Sequence, residues 1–105
     1  MLALVTGASS GIGLQYATAL ARDYHCDLLL VSNQEKELEM VASDLAATYG
    51  VRTMARFADL SLADAAEKLY DWCVENGYVV DILIKCLLCI LVGTIWGKRQ
   101  SVQYT

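Results

Sequence analysis

Eight residues near the start of the chain, Thr6-Gly7-Ala8-Ser9-Ser10-Gly11-Ile12-Gly13, have the types and spacing to hold a pyrophosphate. Leu2-Ala3-Leu4-Val5 before them is a short apolar run, and a helical pattern begins near Ile12, so the stretch is a strand-to-helix turn. A helix starting there aims its free backbone N–H groups, and the positive end of its dipole, at whatever lies over the turn. Gly7 allows a tight departure from the strand, and Gly11 lets the backbone approach a phosphate with no β-carbon between. Gly13 lets the helix pack closely on the sheet, while Ser9 and Ser10 add hydroxyl contacts. A glycine triplet alone is a weak signal; here a strand precedes it, a helix follows, and a second strand ends about twenty residues on. The plain alternative is a Gly/Ser turn that holds nothing.

Such a turn works only on a frame that fixes it. The 105 residues make one domain at most, and 56% hydrophobic against 19% charged residues favours an extensive core over disorder. Ile12, Tyr16, Leu20 and Tyr24 recur at helical spacing, with the first helix ending near Asp23-Tyr24. Cys26 to Val31 reads as a second buried strand. Gln34 to Tyr49 is predicted helical, with Leu38, Val41, Leu45 and Tyr49 on one face and Gly50 as its stop. Arg52 to Ala58 alternates weakly as a third strand. Ser61 and Asp64 have capping-box spacing and open a third helix, with Leu62, Ala65, Ala66, Leu69 and Cys73 inward and Asn76-Gly77 at its end. Val79 to Ile84 is the fourth strand.

The alternation β-α-β-α-β-α-β predicts an α/β fold, a doubly wound parallel sheet of strand order 3-2-1-4 joined by right-handed crossovers. Two helices then cover one face and a single helix the other. Strand four is expected to be an open apolar edge, so self-association through it and marginal stability follow as expectations.

Other functions find little support. The net charge is −4 and no basic run exceeds Lys98-Arg99, which speaks against nucleic acid. Val79 to Trp96 falls short of a membrane span and contains Asp81 and Lys85. The N-terminus shows no basic leader, and its apolar run is too short for a signal peptide. The cysteines, Cys26, Cys73, Cys86 and Cys89, are therefore expected as reduced thiols in the cytoplasm. Cys86-x-x-Cys89 has no second pair to complete a zinc site, so no metal is expected. His25, the only histidine, falls at a helix–strand junction, where a surface role is expected rather than catalysis.

Taken in order, Thr6-Gly7-x-x-x-Gly11-x-Gly13, then Asp59-Leu60 after the third strand, then Val80-Asp81-Ile82-Leu83-Ile84, resemble the short-chain dehydrogenase/reductase family over residues 1–84. The resemblance implies a partial Rossmann-type half-domain with a nicotinamide dinucleotide as partner. Its cofactor-binding set would be Thr6, Gly7, Ser9, Ser10, Gly11, Ile12, Gly13, Ser32, Asn33, Asp59 and Leu60. Asp59 takes the adenine-pocket role in that set; by itself it reads equally well as a helix-side cap or a solvated carboxylate. An acid at the end of the second strand would select NAD, and a base would favour NADP. Val31-Ser32-Asn33-Gln34 is neither, and many relatives of similar sequence carry Arg where Asn33 stands. With no carboxylate to repel a 2′-phosphate, and with Ser32 and Asn33 able to hydrogen-bond it, the expectation leans to NADP; Asn33 as a simple turn former is the alternative.

The resemblance stops after Ile84. Where the family continues Asn-Asn-Ala-Gly, this chain has Lys85-Cys86-Leu87-Leu88. The family's Tyr-x-x-x-Lys pair is absent: four residues after Tyr16, Tyr24, Tyr49, Tyr70 and Tyr78 stand Leu20, Leu28, Thr53, Val74 and Ile82. No catalytic residue is assigned. Residues 85–105 form an atypical apolar tail, read as an out-of-frame extension ahead of a membrane-seeking tail or a helix that caps the sheet. The expectation is the N-terminal cofactor-binding part of an NAD(P)-dependent oxidoreductase that interconverts alcohol and carbonyl, truncated before its catalytic half and inactive as it stands. A non-catalytic nucleotide-binding or interaction module is the alternative.

Overall fold

The computed structural model describes residues 1–84 apart from Ser10, Ser61 and Ala63, together with the backbone of Gln103 and Tyr104. The elements follow as β1 (Leu2–Thr6), α1 (Gly11–Tyr24), β2 (Asp27–Ser32), α2 (Glu35–Tyr49), β3 (Thr53–Phe57), α3 (Ala65–Glu75), β4 (Ile82–Ile84) and β5 (Gln103–Tyr104). The sheet is parallel throughout, in the order β3-β2-β1-β4-β5, so the expected 3-2-1-4 arrangement is present with a short fifth strand beside it.

β1 and β2 lie at the centre because they are apolar on both faces, as strands of a parallel sheet with helices on either side must be. Their register runs from Leu2 opposite Asp27 to Thr6 opposite Val31. Alternate side chains then face opposite layers. Ala3, Val5, Leu28, Leu30 and Ile84 pack against Ala17 and Leu20 of α1 and Leu38 and Leu45 of α2. Leu4, Leu29, Val31 and Leu83 pack against Ala66, Leu69 and Cys73 of α3. Among the described residues a single helix covers this second layer, and Leu4, Leu29 and Leu83 are fully buried.

Four local expectations are corrected. On α1, Ile12, Tyr16 and Tyr24 are exposed, and the buried line is Ala17, Leu20 and Ala21. That line packs against Ala3, Val5, Leu28 and Leu30 of the sheet, and Ile12, Tyr16 and Tyr24 lie off it. α3 begins at Ala65, later than predicted, and Leu62 is exposed. Asp64 stands at the N-cap position without a capping bond from its side chain; its carboxylate meets Lys68 Nζ at 2.9 Å. Ser61, the other half of the expected capping box, lies outside the described residues. β4 is three residues long, with Val79 exposed ahead of it. Its outer edge is not open: Ile82 pairs with Gln103 and Leu83 with Tyr104.

α2 ends as predicted at Gly50, which takes φ +70° and donates its N–H to the Ala46 carbonyl at 2.9 Å. Among the described residues, no helix is long and apolar enough to cross a membrane. His25 sits exposed between α1 and β2 with φ +51°. Cys26 and Cys73 are buried free thiols. Cys86, Cys89 and the rest of the tail through Val102 lie outside the described residues.

Candidate functional site

β1, β2 and β4 end on the same rim of the sheet, and the turn after β1 lies across it. Thr6 closes β1 and is 2% exposed. Its Oγ1 donates to the Ile84 carbonyl at 3.5 Å, which links the ends of β1 and β4. Gly7 then turns the chain at φ +63°, a conformation that favours glycine. Ala8 is buried, and its N–H donates to the Val31 carbonyl at 3.2 Å. The turn is thereby laid over the end of β2 before α1 begins at Gly11.

Gly11 and Gly13 answer opposite needs. A β-carbon on Gly13 would stand 2.2 Å from the Gly7 carbonyl oxygen and 2.7 Å from its carbon, so only glycine lets α1 sit down on the turn. Gly11 has φ +61°, and a β-carbon there would meet nothing within 4 Å. The space over the first turn of α1 is therefore open, with no side chain from Gly11 to fill it. That first turn carries no acidic residue, whereas α2 has Glu35 and Glu37 in the same place. A phosphate brought over Gly11 would meet unpaired N–H groups and the positive helix end with no competing carboxylate. The residues present thus fit a pyrophosphate. Ile12, next to Gly11, is exposed at the same end of α1, and Ser10 lies outside the described residues.

The end of β2 is tied to this turn by side chains. Ser9 and Ser32 hydroxyl oxygens are 2.8 Å apart, Ser9 Oγ donates to Gln34 Oε1 at 2.9 Å, and the Gln34 N–H donates to Ser32 Oγ at 3.0 Å. Ser32 is 6% exposed, and its hydroxyl takes part in this network. Asn33 is exposed beyond it. The third part of the rim follows β3. Ala58 N–H donates to the Ser32 carbonyl at 3.0 Å, which carries Asp59 and Leu60 to the same end of the sheet. Both are half-buried; Leu60 packs on the α3-side core, and the Asp59 carbonyl accepts from Leu62 N–H at 3.2 Å.

Gln34 is the residue that sequence reasoning missed. It stands 25 positions from Ser9, and no motif spacing joins the two. Its place directly after Ser32-Asn33, at a strand end facing the glycine turn, was the available signal.

The thiols with displaced pKa values lie in the core. Burial pushes Cys73 up to about 11, only partly opposed by nearby Arg56, and burial likewise raises Cys26. Among the described residues, no three His, Cys, Asp or Glu side chains gather as metal ligands. A cavity of about 190 Å³ lies at the opposite rim, among Leu2, Asp27, Arg52, Met54 and Tyr78. Its carboxylate, Asp27, accepts the backbone N–H of Arg52 at 3.1 Å and so serves the fold.

The sequence profile of the family described as short chain dehydrogenase matches residues 1–87. The human protein named inactive hydroxysteroid dehydrogenase-like protein 1 is 44% identical over 59 residues, covering 56% of this chain and 18% of its own. The very-long-chain 3-oxoacyl-CoA reductase of Mycosarcoma maydis is 43% identical over 70 residues, covering 66% of this chain and 19% of its own. Among solved structures, an alcohol dehydrogenase from the archaeon Thermococcus sibiricus, complexed with 5-hydroxy-NADP, has a TM-score of 0.72 at 35% identity, over 79% of this chain and 35% of that one. A short-chain dehydrogenase from Sphingobium yanoikuyae in complex with NADPH has a TM-score of 0.70 at 36% identity, over 79% and 32%. The chain spans between 18% and 24% of the length of the curated relatives it matches.

Proposed function

Because this chain belongs to the short-chain dehydrogenase/reductase family, we propose that the rim of Gly7–Gly13, Ser32–Gln34 and Asp59–Leu60 binds a nicotinamide dinucleotide. One observation carries this reading: Gly11 is left-handed, open above, and heads a helix whose first turn is free of acid. The pyrophosphate would rest there, on the N–H groups of α1 and the turn, with Ser9 and Ser10 beside it. Asp59 and Leu60 would flank the adenine, and Ile12 would face the nicotinamide end. Thr6 acts from below, by holding the ends of β1 and β4 together.

NADP(H) is the preferred form in this proposal. No carboxylate stands in Ser32-Asn33-Gln34 to repel a 2′-phosphate, and two structural neighbours are complexes with NADP-type ligands. The bound nicotinamide would supply or accept a hydride in the interconversion of an alcohol and a carbonyl. Two buried free thiols, Cys26 and Cys73, suit a reducing compartment and support a cytoplasmic setting.

A second reading is nucleotide binding without turnover; within residues 1–105 none of the six tyrosines begins a Tyr-x-x-x-Lys. Proton transfer to the substrate oxygen has no group assigned to it in this chain. Calorimetric titration of the chain with NADP+, in parallel with Gly11→Val, tests the binding claim. Saturable binding that the variant loses supports it, and identical heats from both proteins refute it. Carbonyl-dependent oxidation of NADPH by the same preparation separates the two readings.

A further inference from the structure

The sheet ends on β3, and among the described residues no strand lies beyond it. Hydrogen bonds at the two ends of β3 fix which way its backbone groups point. Leu28 N–H donates to the Arg52 carbonyl at 2.9 Å, and Ala58 N–H donates to the Ser32 carbonyl at 3.0 Å. Backbone groups alternate along a strand, so those of Met54 and Arg56 also face β2, and those of Thr53, Ala55 and Phe57 face outward. Proteins usually blunt such an edge with proline, lysine or a bulge. Here the outward residues are neutral and none is proline, and the register with β2 runs unbroken from Leu28 opposite Thr53 to Ser32 opposite Phe57. The charge on Arg56 is held on the α3 side, 4.5 Å from the Trp72 ring centroid.

We propose that the outer edge of β3 pairs with the β3 edge of a second copy of this chain, antiparallel about a two-fold axis at Ala55. The register argues for this occupant. With Ala55 opposite Ala55, Thr53 falls opposite Phe57, so every outward N–H and carbonyl of the strand meets its complement. The exposed Phe57 then lies beside the β-branched Thr53 of the other copy, a favourable cross-strand pair that the symmetry makes twice. Ala55, itself exposed, puts no bulk on the axis. On the α3 side, Met54 falls opposite Arg56 and Arg52 opposite Ala58. Sliding one copy by two residues sets Arg52 against Arg56 in one direction, and Arg56 against Arg56 in the other. Like charges directly opposite disfavour both slips. The charges therefore select the register that uses every outward residue. A strand of 5 residues buries little area, and each copy carries a net charge of −4, so the dimer is transient, with a Kd on the order of 10–1,000 μM.

Sedimentation of the full chain over about 10 μM to about 1 mM tests this, with two substitutions at the axis. Ala55→Pro removes an outward N–H and leaves the ladder to β2 intact. Ala55→Lys keeps the backbone and sets two like charges against each other across the axis, so the test survives a proline variant that fails to fold. The wild type should dimerise reversibly, and each folded variant should associate at least about tenfold more weakly. A disulfide trap locates the contact. In a Cys86→Ser, Cys89→Ser background, Ala55→Cys should cross-link to itself on mild oxidation, because its paired Cα atoms stand about 5.5 Å apart. Thr53→Cys should not, because its symmetry mate lies about 13 Å away along the strand. A chain that stays monomeric up to about 1 mM overturns the proposal. So does a dimer that both folded variants leave unchanged, or one in which Thr53→Cys cross-links as readily as Ala55→Cys.

Discussion

Gly13→Ala is the substitution that the geometry constrains most tightly. The added methyl would stand 2.2 Å from the Gly7 carbonyl oxygen and 3.0 Å from that of Thr6. A relaxed carbon–oxygen contact is about 3.3–3.6 Å, so α1 must lift from the turn by about 1 Å. Both obstacles are backbone atoms, and no rotamer change relieves them. Overpacking of this kind costs about 1–3 kcal/mol or more. Alanine returns up to about 1 kcal/mol through its better helix propensity. The net expectation is a loss of about 1–2 kcal/mol. In a domain of this size each kcal/mol lowers Tm by about 4–8 °C, so the variant should melt about 5–15 °C below the wild type. Circular dichroism melts, with urea titration as a second measure, read this directly. An unchanged or raised Tm would refute the seating of α1 on Gly7. Gly11→Ala is the companion: it meets no clash and costs about 1 kcal/mol for its left-handed backbone, but its methyl enters the phosphate space. It should melt closer to the wild type while losing NADP+ affinity.

Further outcomes follow from the core. Cys73 ionises near 11 in the fold against an ordinary 9.0, because burial disfavours the thiolate, so the unfolded chain gives up this proton first. Its contribution is complete below the unfolded value and is lost as pH rises from 9.0 towards 11, at up to about 1.4 kcal/mol per pH unit. Cys73→Ala should flatten that alkaline fall in urea-measured stability, and an identical slope would contradict the assignment. Leu29→Ala, in a fully buried position, should cost about 2–5 kcal/mol, and a loss under about 1 kcal/mol would contradict the central place of β2. Arg56 has a buried Nε without a hydrogen-bond partner among the described residues, and its guanidinium lies 4.5 Å from the Trp72 ring centroid. Arg56→Met gives up a cation–π contact of about 0.5–1 kcal/mol and relieves an unmet donor worth about 1–3 kcal/mol, so Tm should hold or rise. A fall of several degrees would show that the stacking outweighs the orphan nitrogen.

What could be read from the sequence was whatever chemistry repeats at short range. The strand order came from apolar runs such as Leu28 to Val31 alternating with helical patterns, since parallel strands need crossovers of one hand. The roles of Gly7, Gly11 and Gly13 were legible because each absent side chain answers a local backbone need. Periodicity misled on α1, because it weights bulky residues such as Ile12 and Tyr16, while the line that faces the sheet includes the small Ala17 and Ala21 beside Leu20. β5 gave no signal: two residues, Gln103 and Tyr104, are too few and too polar to mark a strand. The ring of Ser9, Ser32 and Gln34 was hidden for a different reason. Tertiary contact made it, between the glycine turn and a strand end 25 residues away.

The central claim is that a dinucleotide sits over the glycine turn. Titration of the 15N-labelled chain with NADP+, followed by backbone amide shifts, locates the ligand residue by residue. The account predicts saturable shifts concentrated at Gly7–Gly13, Ser32–Gln34 and Asp59–Leu60, with Leu2, Arg52 and Tyr78 at the opposite rim unmoved. No shifts at saturating NADP+, or shifts centred on that opposite rim, would contradict it.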